Sequence, residues 1–138
     1  MKNLLSTLSV LLLLITGCTN ESETTSLEIL GEWELTKEIF NKQTLSYTDN
    51  PIKTILSFKE EGYFHLYDDV SEANLGDEIG NIQTHYKGQY VYENETIQLT
   101  HDVDGTELTQ KFDIQKISAT ELILKDNKHQ KELHYSKL

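Results

Sequence analysis

Hydrophobic and polar residues alternate with a two-residue period along most of the chain beyond residue 30. In the segment Gly31–Phe40, one face carries Trp33, Leu35 and Ile39, and the opposite face carries mostly glutamate. A strand that packs one face on a core and turns the other to solvent has this pattern. The sequence therefore predicts a half-buried first strand that contains the only tryptophan of the chain.

The same alternation recurs in later segments that are separated by short turns. The predicted strands are Ile52–Lys59, Tyr63–Tyr67, Ile82–Tyr92, Thr96–His101, Thr106–Ile117, Leu122–Lys125 and Gln130–Ser136. The pair Asp104-Gly105 is typical of a two-residue hairpin turn. No ten-residue stretch beyond residue 17 has a convincing helical period. The pattern predicts an all-β antiparallel up-and-down meander, closed into a roughly eight-stranded barrel or packed as a sandwich.

The strand Ile82–Tyr92 has a face that is richer in aromatic and polar residues than the others. That face carries Thr84, Tyr86, Tyr90 and Tyr92. Tyrosine combines an apolar body with a polar tip, which suits a partly hydrated ligand cavity. We predict Tyr86, Tyr90 and Tyr92, with His101 from the next strand, as ligand contacts. The alternative is that these tyrosines only fill the core.

The N-terminus follows a different pattern, with a positive start and an apolar run over Leu4–Ile15. This run is shorter than the ~20 apolar residues that a spanning helix needs. A charged start, a short apolar run and small residues after it are typical of a secretory signal. The ending Ile15-Thr16-Gly17-Cys18 resembles the lipobox of bacterial lipoproteins. The resemblance implies cleavage after Gly17 and lipid attachment at Cys18.

Cys18 is the only cysteine of the chain. An unpaired thiol in an oxidising compartment needs an explanation, which lipidation provides. The alternative is an ordinary secretory signal with an incidental cysteine. The next eight residues, 19–26, include no apolar side chain, so we expect a flexible tether. The predicted organisation is a signal peptide at 1–17, a lipidated tether at 18–26 and a single β-barrel domain at 27–138.

The formal net charge is −11, and all twelve basic residues are lysines. Phosphate backbones are bound by positive patches and by bidentate arginine, so we expect no nucleic-acid partner. Acidity on an exported domain favours solubility. Glu21 and Glu23, which closely follow Cys18, resemble the surface-export signals of some Gram-negative lipoproteins. This resemblance implies a lipid-anchored protein of the cell envelope, at the outer membrane of a Gram-negative bacterium.

Candidate catalytic and metal-binding groups are dispersed along the sequence. None of the five histidines forms a tight pair such as His-x-His, so we predict no metal site, although ligands from separate strands would leave no sequence signal. The Asp102–Gly105 segment lacks the later oxygen ligands of a calcium loop and fits a hairpin turn. There is no nucleophile-elbow motif. We predict no catalytic residues, no cofactor and no enzyme activity.

The segment Asp68–Asn81 is acidic and long for a connection between neighbouring strands. Three interpretations remain open: a lid over the mouth of a barrel, a weak calcium site, or a solvated loop.

Two short motifs connect the strand pattern to a family. Leu30–Leu35 (LGEWEL) resembles the Gly-x-Trp opening of lipocalins, and Ile55–Tyr63 (ILSFKEEGY) resembles a hairpin in the lipocalin-like domains of many bacterial lipoproteins. The resemblance covers about residues 27–138 and implies a lipocalin-like barrel. Lipocalins commonly stack a late arginine on the first-strand tryptophan. Because this chain has no arginine, we expect a lysine or an apolar contact over Trp33.

Together these features predict a membrane-anchored lipocalin-like lipoprotein of the bacterial envelope that binds a small apolar or amphipathic ligand. The alternative is a protein-interaction or inhibitor module that docks on another envelope protein. A lined cavity of ~300 Å³ or more would favour the first.

Overall fold

A computed structural model of the chain describes residues 28–71 and 82–138. Its strands are β1 (Gly31–Phe40), β2 (Gln43–Ser46), β3 (Lys53–Phe58), β4 (Tyr63–Asp69), β5 (Ile82–Glu93), β6 (Thr96–Val103), β7 (Thr106–Ile117), β8 (Glu121–Asp126) and β9 (Lys131–Lys137).

The strands pair in the order β2-β1-β3-β4-β5-β6-β7-β8-β9, and β1 also pairs with β9. Eight strands, β1 and β3 to β9, therefore close an antiparallel barrel, while the short β2 adds to the last four residues of β1. The predicted all-β, roughly eight-stranded antiparallel barrel is confirmed. The strand β2 was not predicted. It follows a two-residue turn, Asn41 and Lys42, in which both φ angles are positive (51° and 65°).

The barrel has two unlike ends. At one end, which we call the tryptophan end, Trp33, Phe58, Ile97 and Leu122 are almost completely buried. The turns that join β3 to β4, β5 to β6 and β7 to β8 lie there. The opposite end, which we call the mouth, has the β6–β7 and β8–β9 turns, the end of β4 and the start of β5.

Two β-bulges change which side chains face the interior. The β1–β9 register shifts between Leu35 and Lys37, so that Glu38 lies opposite Leu133. An extra residue in one strand reverses the inward and outward faces beyond it. The prediction that Ile39 shares the face of Trp33 is therefore wrong, and Glu38 takes the inward position.

The second bulge lies between β4 and β5, where Leu66 pairs with Tyr86 but Tyr67 pairs with Thr84. The prediction that Thr84 shares the face of Tyr86 is wrong for the same reason. The Thr84 hydroxyl instead lies 2.9 Å from His65 Nε2, at an exposed position.

Several predicted features fall wholly or partly outside the described residues. They are the signal peptide at 1–17, the tether at 18–26 and the last ten residues of the acidic segment, 72–81. Asp68 and Asp69, the first residues of that segment, belong to β4. Within 28–71 and 82–138, no helix is long and apolar enough to cross a membrane.

Candidate functional site

A cavity of about 400 Å³ lies inside the barrel, toward the mouth. Its apolar floor is formed by Leu35, Leu56, Leu66, Leu99, Leu124 and Leu133, together with Phe112 and Tyr135. These side chains come from seven strands, because alternate residues of each strand face the interior of a barrel. Thr54, Glu38, Gln110, Asp126, His129 and Lys131 form the polar part of the wall.

Glu38 reaches the cavity because of the bulge in β1. Its carboxylate lies 2.9 Å from Lys131 Nζ, at the start of β9. The Glu38 side chain is only 15% exposed. A carboxylate this buried is stabilised by a paired cation, since an unpaired buried charge is costly. The ion pair therefore holds a charged group at the polar side of the cavity.

Asp126 is the last residue of β8 and continues the inward series of Leu122 and Leu124. One carboxylate oxygen accepts hydrogen bonds from the backbone N–H groups of Lys128 and His129, at 2.9 and 3.1 Å. The other lies 2.6 Å from the His129 ring. Burial of the Asp126 carboxyl opposes its ionisation, but the hydrogen bonds from His129 and Lys128 outweigh it and lower the pKa. Asp126 is therefore a carboxylate at neutral pH.

A third carboxylate, Asp68, lies beside the cavity on β4. It accepts a 2.7 Å hydrogen bond from the hydroxyl of Thr54, which pairs with it across β3 and β4 and lines the cavity. The other oxygen of Asp68 lies 2.9 Å from His85 Nε2. His85 is the extra residue of the β5 bulge, and this contact gives the bulge a polar partner on β4.

The tryptophan end is sealed by a different set of contacts. Trp33 is fully buried, and its indole N–H donates a 2.7 Å hydrogen bond to the carbonyl of Ile29. Lys137 Nζ lies 4.7 Å from the centre of the indole ring and donates to the carbonyls of Leu30 and Glu28. The sequence led us to expect a lysine or an apolar contact over Trp33 in place of arginine. Lys137 is that lysine. It lies at the end of β9 and contacts both Trp33 and the residues just before β1.

The predicted ligand contacts on β5 and β6 lie outside the lining of this cavity. Tyr90 and Tyr92 pack against the buried core. The Tyr90 ring is 5.0 Å from that of Phe58, its hydroxyl donates to the carbonyl of Lys59 at the tryptophan end, and burial raises its pKa.

Tyr86 and His101 lie together closer to the mouth, with ring centres 4.2 Å apart. His101 is 5% exposed, and its Nδ1 has no hydrogen-bond partner among the described residues. The structure thus brings two of the four predicted residues together. Ligand binding by Tyr86, Tyr90, Tyr92 and His101 stays a prediction.

The other histidines each have one polar neighbour. His65 contacts Thr84, His85 contacts Asp68, His129 contacts Asp126 and His134 contacts Glu132. No three histidine, cysteine or acidic side chains of residues 28–71 and 82–138 are grouped so that they could hold a metal ion.

A second depression, of about 480 Å³, lies on the outer surface of the barrel between β2, β8 and β9. Its wall is mostly polar and includes Thr36, Lys37, Ser46 and Glu121. It is more open than the interior cavity, and polar atoms make up more of its surface. The interior cavity is therefore the better candidate for binding a small molecule.

The geometry of the barrel agrees with a known fold. A lipocalin-like protein from Bacteroides uniformis superposes with a TM-score of 0.59 and 13% sequence identity, over 80% of this chain and 99% of that one. The chain described here therefore has a lipocalin-like barrel fold. A point mutant of the fluorescent protein UnaG is also similar, with a TM-score of 0.40 and 12% identity, over 82% of this chain and 98% of the other. No protein-family model and no curated protein sequence matches the chain.

Sequence reasoning missed the charged residues of the cavity, Glu38, Asp126, His129 and Lys131. Glu38 faces inward because of a bulge for which the alternation gives no signal. Asp126 had a weak signal, since it continues the two-residue period of Leu122 and Leu124. The predicted strand Leu122–Lys125 ended one residue before Asp126, whereas β8 extends to it.

Proposed function

We propose that this protein is a lipid-anchored envelope protein that holds a small apolar or amphipathic ligand inside its barrel. The observation that carries the proposal is the interior cavity of about 400 Å³, with its leucine-rich floor and polar wall. Small-molecule sites typically enclose roughly 300–1,000 Å³ and combine an apolar lining with a few polar groups that orient the ligand. The lining of this cavity has that composition.

Binding rather than catalysis is the better account of the charged groups. Both carboxylates that line the cavity are engaged by neighbouring bases, Glu38 by Lys131 and Asp126 by His129. Among the described residues, the lining includes neither serine nor cysteine. The polar wall is therefore suited to orienting a ligand through hydrogen bonds and charge.

Filling the cavity is expected to weaken ligand binding. In Leu133→Trp the indole would project from β9 into the apolar floor, and the affinity for the neutral fluorescent probe N-phenyl-1-naphthylamine should fall by about tenfold or more. The measurement is a fluorescence titration of purified protein. Val91→Trp is the matched control, because Val91 is 55% exposed on β5 and lies outside the cavity lining.

Equal probe affinity of Leu133→Trp and Val91→Trp would place the probe elsewhere on the surface. Absence of binding to the unaltered protein would favour the alternative function, docking on another envelope protein.

The lipid anchor is the second part of the proposal. It rests on the Ile15-Thr16-Gly17-Cys18 ending and on the single cysteine. The position of Glu28 bears on how an anchored barrel would be oriented. Glu28 lies at the tryptophan end, where its carbonyl accepts a hydrogen bond from Lys137 Nζ. A tether that ends there would attach to the barrel at the end opposite the mouth. We propose that the mouth faces away from the bilayer and receives its ligand from the aqueous side, at the outer membrane of a Gram-negative cell.

Lipidation is expected to appear as acyl mass on Cys18 in mass spectrometry of membrane-extracted protein. Two or three acyl chains are enough for stable anchoring, at ~0.8 kcal/mol for each buried CH₂. Cys18→Ala should therefore move the protein from the membrane fraction to the soluble fraction, while Thr19→Ala should leave it in place. An unmodified Cys18 thiol in exported protein would contradict the proposal.

A further inference from the structure

Three acid–base pairs around the mouth share one arrangement, in which the carboxylate is the more buried partner. In the pair Glu38–Lys131, the exposed fractions of the side chains are 15% for the acid and 38% for the base. In Asp126–His129 they are 11% and 49%. The carboxylates therefore lie toward the interior, and the bases lie toward solvent.

Asp68 and His85 repeat this arrangement with 19% and 45% exposure. The strands that carry the three pairs, together with Thr54, follow one another around the barrel as β8, β9, β1, β3, β4 and β5. The polar groups thus form a continuous arc along the mouth. On β7, outside this arc, the large apolar side chain Leu108 is 45% exposed.

The charge of this arc is negative. Three carboxylates face one lysine and two histidines, so the fixed negative charges outnumber the one fixed positive charge. Gln110, the other polar side chain of the cavity wall, is neutral. The net charge of the whole chain is −11, which strengthens the same field. A cation that enters the mouth is attracted by this field, and an anion is repelled.

The cavity adds an independent constraint on the ligand. Its floor is built from leucine, phenylalanine and the ring of Tyr135, which offer dispersion contacts and few hydrogen bonds. A fully hydrated ion would leave this floor unfilled. The cavity therefore fits a molecule with an apolar body, and the carboxylates at its polar side determine the charge of the other end.

We infer that the ligand is a cationic amphiphile, whose ammonium-type head lies beside Glu38 and Asp126 and whose apolar tail lies on the leucine floor. The inference rests on the proposed ligand-binding function and adds the chemical class of the ligand. The head would donate hydrogen bonds to carboxylate oxygens from the cavity side, while Lys131 and His129 remain on the solvent side.

Three probes with the same tail and different heads test the inference: decylamine, 1-decanol and decanoate. Their affinities are measured at pH 7 and low salt by displacement of N-phenyl-1-naphthylamine from the purified full chain. We expect the affinity for decylamine to exceed that for decanoate by about tenfold or more. One charge-assisted hydrogen bond to a carboxylate is enough for a difference of this size. Decanol should lie between them and provides the reference for the tail alone.

Glu38→Gln should reduce the ratio of decylamine to decanoate affinity by about tenfold, because it removes one carboxylate and leaves Lys131 free to attract the anion. Asp126→Asn is the second, independent substitution, and an unchanged decanol affinity shows that each variant is folded. Glu61→Gln is the matched control. It removes the same charge from the exposed β3–β4 turn at the tryptophan end, and it should leave the ratio unchanged.

Each outcome has one meaning. Decanoate binding as tightly as decylamine, or a ratio that Glu38→Gln and Asp126→Asn leave unchanged, overturns the inference but leaves the ligand-binding function standing. Failure of N-phenyl-1-naphthylamine itself to bind the unaltered chain overturns the proposed function. A preference for decylamine that only the two mouth substitutions reduce supports both.

Discussion

Replacing Trp33 with alanine is expected to lower the free energy of unfolding by ~3–5 kcal/mol, as large truncations in a core do. Trp33 is fully buried, its indole N–H donates to the carbonyl of Ile29, and Lys137 lies over its ring. The substitution removes the hydrogen bond to Ile29 and the contact with Lys137, and it leaves a cavity at the tryptophan end. Urea denaturation of purified protein measures the change.

Two milder substitutions separate the contributions at this end. Trp33→Phe keeps an aromatic ring but loses the hydrogen bond to Ile29. Lys137→Met keeps an apolar stem but loses the charge over the ring and the hydrogen bonds to the carbonyls of Leu30 and Glu28. Each should cost about 1–2 kcal/mol, the scale of one buried hydrogen bond or one partly desolvated cation–π contact. A loss below ~1 kcal/mol for Trp33→Ala would contradict the role assigned to this residue.

Gly88→Ala is expected to be nearly as damaging, with a loss of ~3 kcal/mol or more from overpacking against backbone. A Cβ atom at Gly88 would lie 1.9 Å from the carbonyl oxygen of Thr100 and 2.9 Å from the Phe64 ring. The oxygen belongs to the neighbouring strand, so the clash can be relieved only by moving β5 away from β6.

Gly105→Ala is the contrasting control for Gly88→Ala. Gly105 lies in the β6–β7 turn with a φ of +80°. Apart from Gly105 itself and its two chain neighbours, no described residue has an atom within 4 Å of the position that a Cβ would take. Its substitution should cost only ~1–2 kcal/mol of backbone strain. If Gly88→Ala were no more damaging than Gly105→Ala, the close approach of β5 and β6 would be contradicted.

The alternation of side chains was enough to predict the eight strands that close the barrel, because hydrophobic residues recur at every second position along much of each one. The Asp104-Gly105 turn was also predictable, since both residues adopt positive φ angles, 52° and 80°. The strand β2 was not, because all four of its residues are exposed and carry no hydrophobic period. Its only signal was Asn41, a residue that adopts positive φ readily.

The cavity was harder to predict than the barrel. A bulge adds one residue and leaves no mark in the sequence, and one bulge turns Glu38 inward while the other separates Thr84 from Tyr86. The tyrosine stripe of β5 was visible, but Tyr90 and Tyr92 pack against the core and lie outside the cavity lining. A lysine was one of the expected contacts over Trp33, but the sequence did not indicate which lysine. The choice of Lys137 depends on the pairing of β1 with β9.

The central claim is that a small molecule binds inside the barrel, and methyl NMR locates it directly. With leucine methyl groups labelled with ¹³C, N-phenyl-1-naphthylamine should shift the signals of Leu56, Leu99 and Leu133, which line the cavity. The signals of Leu45 and Leu138, which are 52% and 62% exposed, should stay in place. Shifts confined to Leu45 or Leu138, with the cavity leucines unchanged at saturating probe, would contradict the account.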